Sequence, residues 1–159
     1  MKKYLAVLTV MIFALGMTSM VYAGSKNDAV PVSATVAANC TISGGSIAFG
    51  TLDAVTNSGG ATATVTQPVI KCTKGASVAV TDDMGANEAS SGVAPARMKK
   101  SDSSDYIEYA VTYATPLTGT GINSDIGATL TLAATIASGK LDDAPAGSYS
   151  DTLTLTVTY

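Results

Sequence analysis

The chain has 159 residues, of which 47% are hydrophobic, and its formal net charge is −3 at pH 7. It contains no histidine, which excludes serine–histidine and cysteine–histidine nucleophile systems and leaves no ordinary proton-exchanging side chain for pH 7. With 9 basic against 12 acidic residues, the chain is also a poor partner for nucleic acid or an anionic membrane. Because it lacks histidine, we do not expect an enzyme, and we expect no cofactor.

The first segment has the pattern of a secretory signal peptide. A positively charged start precedes an apolar run from Leu5 to Leu15, and small residues follow at Val21-Tyr22-Ala23. We predict cleavage after Ala23, so that residues 1–23 are the signal peptide and no membrane insertion follows cleavage. The alternative is an uncleaved anchor, which the short apolar run and the cleavage pattern disfavour.

The exported part opens with a stretch, residues 29–40, in which apolar and small polar side chains alternate. In an extended chain the apolar residues of one parity share a face. Such a strand needs a groove, in this molecule or in another copy. Pro31 lacks a ladder donor, so the paired strand either begins at the next residue or bulges there. The residues of the apolar face are Val30, Val32, Ala34, Val36 and Ala38.

Cys40 and Cys72 are the two cysteines of the chain. Both lie in the exported part, and an even number of cysteines in an oxidising compartment favours a disulfide. Two free thiols or a metal pair are the alternative. We disfavour it because no histidine or further cysteine could complete a zinc or copper site.

Period-two alternation recurs along the rest of the chain, between clusters of Gly, Ser, Asn and Asp, and it predicts an all-β fold of about six to seven strands. Gly44-Gly45 interrupts the first of them and predicts a bulge or a bend, as where a strand crosses between sheets. The predicted strands cover residues 40–42 with 47–49, 61–66, 70–72, 78–80, 106–113, 128–136 and 149–159.

The segment from Asp82 to Ser104 is polar and without periodicity, which predicts a long surface loop. Its acidic residues suggest calcium, but their spacing differs from that of an EF-hand loop, and we interpret them as solvated turn residues. Three basic residues, Arg97, Lys99 and Lys100, are expected to face solvent or to pair with nearby aspartates.

Several segments carry a specific pattern when they are taken together. They are Val32 to Ser43 followed by Phe49-Gly50, Val69 to Cys72, Arg97 to Lys99, Tyr106 with Tyr109, and Pro145 to Thr152 leading to Val157-Thr158-Tyr159. This pattern resembles the spore coat protein U domain family, which includes the pilins of archaic chaperone-usher pili. The resemblance implies an incomplete immunoglobulin-like sandwich over residues 40–159. Its missing strand would come first from a periplasmic chaperone and then from residues 24–39 of the next subunit.

The resemblance further implies a structural subunit of a bacterial surface pilus, assembled by donor-strand exchange and serving attachment and biofilm formation. Its partners would be a periplasmic pilus chaperone, an outer-membrane usher and other pilin subunits. It would be exported through the periplasm to the cell surface or secreted. The residues assigned in this way are Val30 to Ala38 for the donor strand, Cys40 and Cys72 for the disulfide, and Leu153, Leu155, Val157 and Tyr159 for the strand that pairs with the chaperone.

Two other functions stay open. One is a non-filamentous secreted coat or matrix protein of the same fold, in which the N-terminal strand completes its own domain. The other is a secreted carbohydrate-binding module that uses Tyr106, Tyr109 and the loop at 82–104. Because the chain has no tryptophan, a core position for these tyrosines is the favoured interpretation.

Overall fold

The computed structural model describes residues 23–89 and 95–159. The predicted signal peptide therefore lies outside the described residues except for Ala23. The chain divides into two units, residues 1–35 and residues 36–159. In the first unit the described residues 23–35 form neither helix nor strand, and the side chains of Val30 and Val32 are 82% and 92% exposed.

The second unit has an all-β, immunoglobulin-like fold. The alternation predicts its all-β class, and the resemblance implies its immunoglobulin-like form. All strand pairs among the described residues are antiparallel. Its described strands are β1 Cys40–Ser43, β2 Ser46–Ala48, β3 Ala61–Thr62, β4 Thr64–Thr66, β5 Val69–Cys72, β6 Ser77–Asp82, β7 Ala96–Lys100, β8 Tyr106–Thr112, β9 Leu117–Thr118, β10 Ala133–Ile136, β11 Tyr149–Ser150 and β12 Leu155–Thr158, and a short helix, α1 Gly127–Leu130, lies between β9 and β10.

The strands form a five-stranded sheet in the order β11-β7-β8-β10-β3, a three-stranded sheet in the order β12-β6-β9, and the two pairs β1-β5 and β2-β4. Two apolar clusters lie between them. The first contains the fully buried side chains of Ile70, Val78 and Leu130. The second contains Ile107 and Ile136 and lies against the five-stranded sheet. Alternate residues of β6, β8 and β10 supply these clusters, as expected for sheets with one buried face.

The predicted interruption at Gly44-Gly45 is confirmed. Both glycines have positive φ angles, 69° and 97°, a region that side chains with a Cβ rarely adopt. The chain changes ladder partner at this point, because β1 pairs with β5 whereas β2 pairs with β4.

The predicted loop from Asp82 to Ser104 is wrong in part, because β7 lies within it and pairs with both β8 and β11. The polar composition of this strand concealed it, since pairing with neighbours decides strand formation more than intrinsic propensity does. The Arg97 guanidinium is not simply solvated: it donates to the carbonyl oxygens of Asn87 and Glu88, both at 2.9 Å. Lys100 pairs with Asp102 at 2.9 Å, as expected.

The predicted strand at 128–136 is wrong in its first half, where the chain forms α1. The Asp125 carboxylate accepts hydrogen bonds from the backbone N–H groups of Ile70 and Gly127 and so turns the chain. A Cβ at Gly127 would overlap the carbonyl oxygen of Pro68, so the close approach requires glycine. Only Ala133–Ile136 keeps the strand conformation.

The predicted final strand, 149–159, is divided into β11 and β12. Between them the chain pairs with the loop that follows β6: Asp83 N–H donates to Thr154 O at 3.2 Å, and Ala86 N–H donates to Thr152 O at 3.0 Å. The chain thus crosses from the five-stranded to the three-stranded sheet while its backbone groups keep partners.

Candidate functional site

A groove with a volume of about 1440 Å³ runs through the second unit. Residues 42–54 form one of its walls and residues 144–155 form the other. Among the described strands, β2 pairs only with β4 and β11 only with β7, so each wall contains a strand with one open edge. Such edges present N–H and C=O groups that can pair with a further strand.

The floor of the groove is apolar and belongs to the second cluster. Alternation along β8 places Ile107 and Tyr109 on its inner face, where they are 4% and 5% exposed. Leu141 lies beside them, and Phe49 meets the ring of Tyr109 edge to face, with the ring centroids 6.0 Å apart. A strand lying in the groove could bury apolar side chains against these groups.

One polar network interrupts this floor. The Tyr109 hydroxyl donates to one carboxylate oxygen of Asp151 at 2.7 Å, and the Asn87 amide donates to the other at 2.9 Å. Burial raises the pKa of Tyr109 far above its ordinary value, and the bond to Asp151 adds to this shift. The tyrosine therefore remains a neutral donor. No buried side-chain nitrogen or oxygen among the described residues lacks a hydrogen-bond partner.

Two further carboxylates lie near the second wall, and one of them, Asp83, bonds to it. Asp83 accepts the N–H groups of Thr154 and Gly85, both at 2.9 Å, and the bond from Thr154 lowers the pKa of Asp83. Asp82 accepts the hydroxyl of Tyr113 at 2.7 Å. The sequence pattern predicts solvated turn residues here. The one sequence signal of the pair is that two adjacent carboxylates stand at the end of β6, Asp82 as its last residue and Asp83 directly after it.

The burial of the Tyr113 phenol, together with its hydrogen bond to Asp82, predicts a loss of stability in alkali. Burial raises the pKa of Tyr113 from 10.0 to about 12, with a smaller contribution from the hydrogen bond to Asp82. The folded chain thus prefers the neutral phenol, so the free energy of unfolding should fall as pH rises from 10 towards 12. We expect a shallower fall in Tyr113→Phe, measured by denaturant unfolding at several pH values.

The neutral range supplies the control for this prediction. At pH 7 the phenol is protonated in both the folded and the unfolded chain, so Tyr113→Phe reports only the lost hydrogen bond, about 1–2 kcal/mol. A pH slope above 10 that is identical in the variant and the wild type would contradict the assignment to Tyr113.

The predicted disulfide is present: Cys40 and Cys72 are joined, with their Cα atoms 4.1 Å apart. The alternative of free thiols or a metal pair is therefore wrong for these two residues. The bond links the first residue of β1 to the last residue of β5, which face each other in the ladder.

The residues predicted to meet a chaperone lie along and beside β12. Leu155 and Val157 belong to this strand and are half-buried against the first cluster, and Leu153 precedes it. Tyr159 follows it and is 56% exposed. Within the described part of the chain, β12 pairs only with β6, so its other edge is open. Of the predicted donor residues in the second unit, Val36 is 82% exposed and Ala38 is exposed.

The tyrosines offer little to a sugar. Tyr109 is 5% exposed, so the predicted core position is confirmed for it, whereas for Tyr106, which is 38% exposed, it is wrong. One face of the Tyr106 ring is covered by the Arg97 guanidinium, 4.4 Å from the ring centroid. In the described ranges no group of three or more acidic, histidine or cysteine residues is placed to hold a metal ion. No helix in these same ranges has the length and apolar character needed to cross a membrane. The groove is therefore the best candidate site.

Comparison with known proteins agrees with this architecture. The family model of the Spore Coat Protein U domain matches residues 26–156, which is most of the chain. No curated protein matches the chain. The family is one of structural, surface-associated proteins of chaperone-usher pili and coats. An all-β sandwich with one disulfide, an open groove and this match leads to one conclusion: the chain belongs to the Spore Coat Protein U domain family.

Proposed function

We propose that this protein is a structural subunit of a bacterial surface pilus. It is exported by its signal peptide, assembled by the chaperone-usher pathway through donor-strand exchange, and serves attachment and biofilm formation. The observation that carries the proposal is the groove of about 1440 Å³, which has an apolar floor and an open strand edge in each wall. A folded domain with such a groove gains stability from an added strand.

The proposed occupant is the segment Val30 to Ala38 of another copy. Its apolar residues alternate with small polar ones, as a strand with one buried face requires. Burying Val30, Val32 and Val36 would contribute about 5–9 kcal/mol before the cost of ordering the segment. Because each copy gives one segment and receives another, the pairing is head to tail and extends into a filament.

A periplasmic chaperone is proposed to cover the groove before the next subunit arrives. Its binding strand would pair with the open edge of β12, beside Leu153, Leu155, Val157 and Tyr159. The physical need is clear, because open edges over apolar side chains promote aggregation. An outer-membrane usher would then bring two subunits together for the exchange.

Co-expression with the cognate chaperone tests this proposal. We expect a stable one-to-one complex, and polymers when the chaperone is exchanged for another subunit. A chain lacking Gly24 to Ala38 should keep the chaperone complex and lose polymerisation. Wild-type protein that stays monomeric without a chaperone, melts reversibly and pairs residues 30–38 inside its own molecule would contradict the proposal and favour a coat or matrix protein.

A self-complemented chain supplies the matched control. We define it as the exported chain with a second copy of residues 28–38 attached after Tyr159 by a flexible linker. This copy can fill the groove of its own molecule, at the high effective concentration that a linker provides. We expect a soluble monomer that neither binds the chaperone nor polymerises.

A further inference from the structure

We propose that Ala37, Ala38 and Asn39 form a fixed joint on their own subunit, so that the strand inserted into the neighbouring subunit ends at Val36. The inference rests on the proposed function, since it divides the proposed donor segment into an inserted part and a retained part. We call the retained part, residues 37–39, the joint.

The backbone of the joint is bound to Thr73. Asn39 N–H donates to the Thr73 hydroxyl oxygen at 3.0 Å, and Thr73 N–H donates to Asn39 O at 2.9 Å. The Thr73 hydroxyl is also a donor, and the carbonyl oxygens of Ala37 and Asn39 lie 3.4 Å and 3.3 Å from it. These bonds continue the β1-β5 ladder by one residue pair beyond the Cys40–Cys72 disulfide.

The side chain of Asn39 connects the joint to the end of the chain, next to β12. Tyr159, the residue after β12, donates its hydroxyl to the Asn39 side-chain oxygen at 3.3 Å. The same β12 contains Leu155, which lines the groove. The joint therefore connects the end of the N-terminal segment to the residue directly after β12, the strand whose first residue lines the subunit's own groove.

These contacts decide where the inserted strand ends. Inserting Ala38 into a neighbour would require the backbone around it to leave Thr73, and the buried methyl group of an alanine returns little apolar area for the lost hydrogen bonds. Val30, Val32, Ala34 and Val36 can enter the groove without disturbing the joint. The donor segment would then leave each subunit at the same fixed residue. The inserted strand would therefore start at the same place relative to its own subunit in every copy.

Two aspartate variants of the full chain test where insertion ends. Val36→Asp should slow polymer formation from the chaperone complex by at least about tenfold, because it buries a charge in the apolar groove. Ala38→Asp, on the same face two residues later, should change the rate by less than about twofold, because an exposed joint residue keeps its charge in water. Equal slowing by both variants would overturn the proposal.

A second measurement reports the joint without any polymer. In the self-complemented chain, Thr73→Val should accelerate hydrogen exchange of the Asn39 amide about three- to tenfold, the effect of one lost hydrogen bond. Thr73→Ser should restore the wild-type rate, and Thr41→Val, at an exposed position of β1, should leave it unchanged. An exchange rate that does not respond to Thr73→Val would overturn the joint. Should the wild type form no polymer, the proposed function fails, and this measurement still decides whether the joint exists.

Discussion

Replacing Val32 with aspartate is expected to stop polymer growth while the chaperone complex still forms. In the proposed assembly Val32 points into the groove of the next subunit, against the floor that contains Ile107, Tyr109 and Leu141. Among the described residues that line the groove none is basic, so the new carboxylate would find no ion-pair partner with them. Burying it costs several kcal/mol, which slows exchange by about a hundredfold or more.

Ser33→Asp is the matched control for this prediction. Its side chain has the opposite parity, so it should face away from the groove and change the rate of polymer formation by less than about threefold. The measurement is the rate at which chaperone complexes convert to polymers. Equal inhibition by both variants would refute the assigned face of the strand, and no inhibition by either would show that this segment is not the one inserted.

Local patterns predicted the parts of the fold in which one face of a strand is buried. In β8 the alternation places Ile107 and Tyr109 inward, and both are buried as expected. The bend at Gly44-Gly45 was equally readable, because a change of parity across two glycines is typical of a bulge or a bend. These features depend on residues close together in the chain, where period and turn chemistry are sufficient.

Features that depend on distant partners could not be predicted in the same way. β7 forms because β8 and β11 lie on either side of it, although its own residues are mostly basic. The helix α1 replaces a strand because Asp125 turns the chain beside Pro68 and Ile70. Both outcomes are cases in which tertiary pairing overrides local propensity.

The candidate site could be predicted from the sequence only in part. Its walls, residues 42–54 and 144–155, come from opposite ends of the second unit, and no local period reports that they face each other. The network of Tyr109, Asp151 and Asn87 was also missed, since hydrogen-bond partners so far apart in the chain leave no spacing signal. The sequence does show an alternating segment, residues 29–40, whose apolar face needs a groove to be buried. The proposed function connects that segment with these walls.

Removing the disulfide is expected to lower the stability of the described fold strongly. The bond spans a sequence separation of 32 residues, and releasing such a loop should lower the free energy of unfolding by about 3–4 kcal/mol. Cys72 is fully buried, so the variant should pair Cys40→Ala with Cys72→Ala rather than introduce serine hydroxyls into the core. Denaturant unfolding of the self-complemented chain measures the effect.

Reduced wild-type protein separates the cross-link from the packing. It retains both sulfur atoms, so the stability difference between oxidised and reduced wild type reports the cross-link, and the further loss in the double alanine variant reports the cavity left at Cys72. Reduction should also raise the exchange rate of the Asn39 amide, because the disulfide holds the ladder that the joint extends. A reduced chain within about 1 kcal/mol of the oxidised one would mean that the β1-β5 ladder persists in the unfolded ensemble or holds these strand ends without the bond.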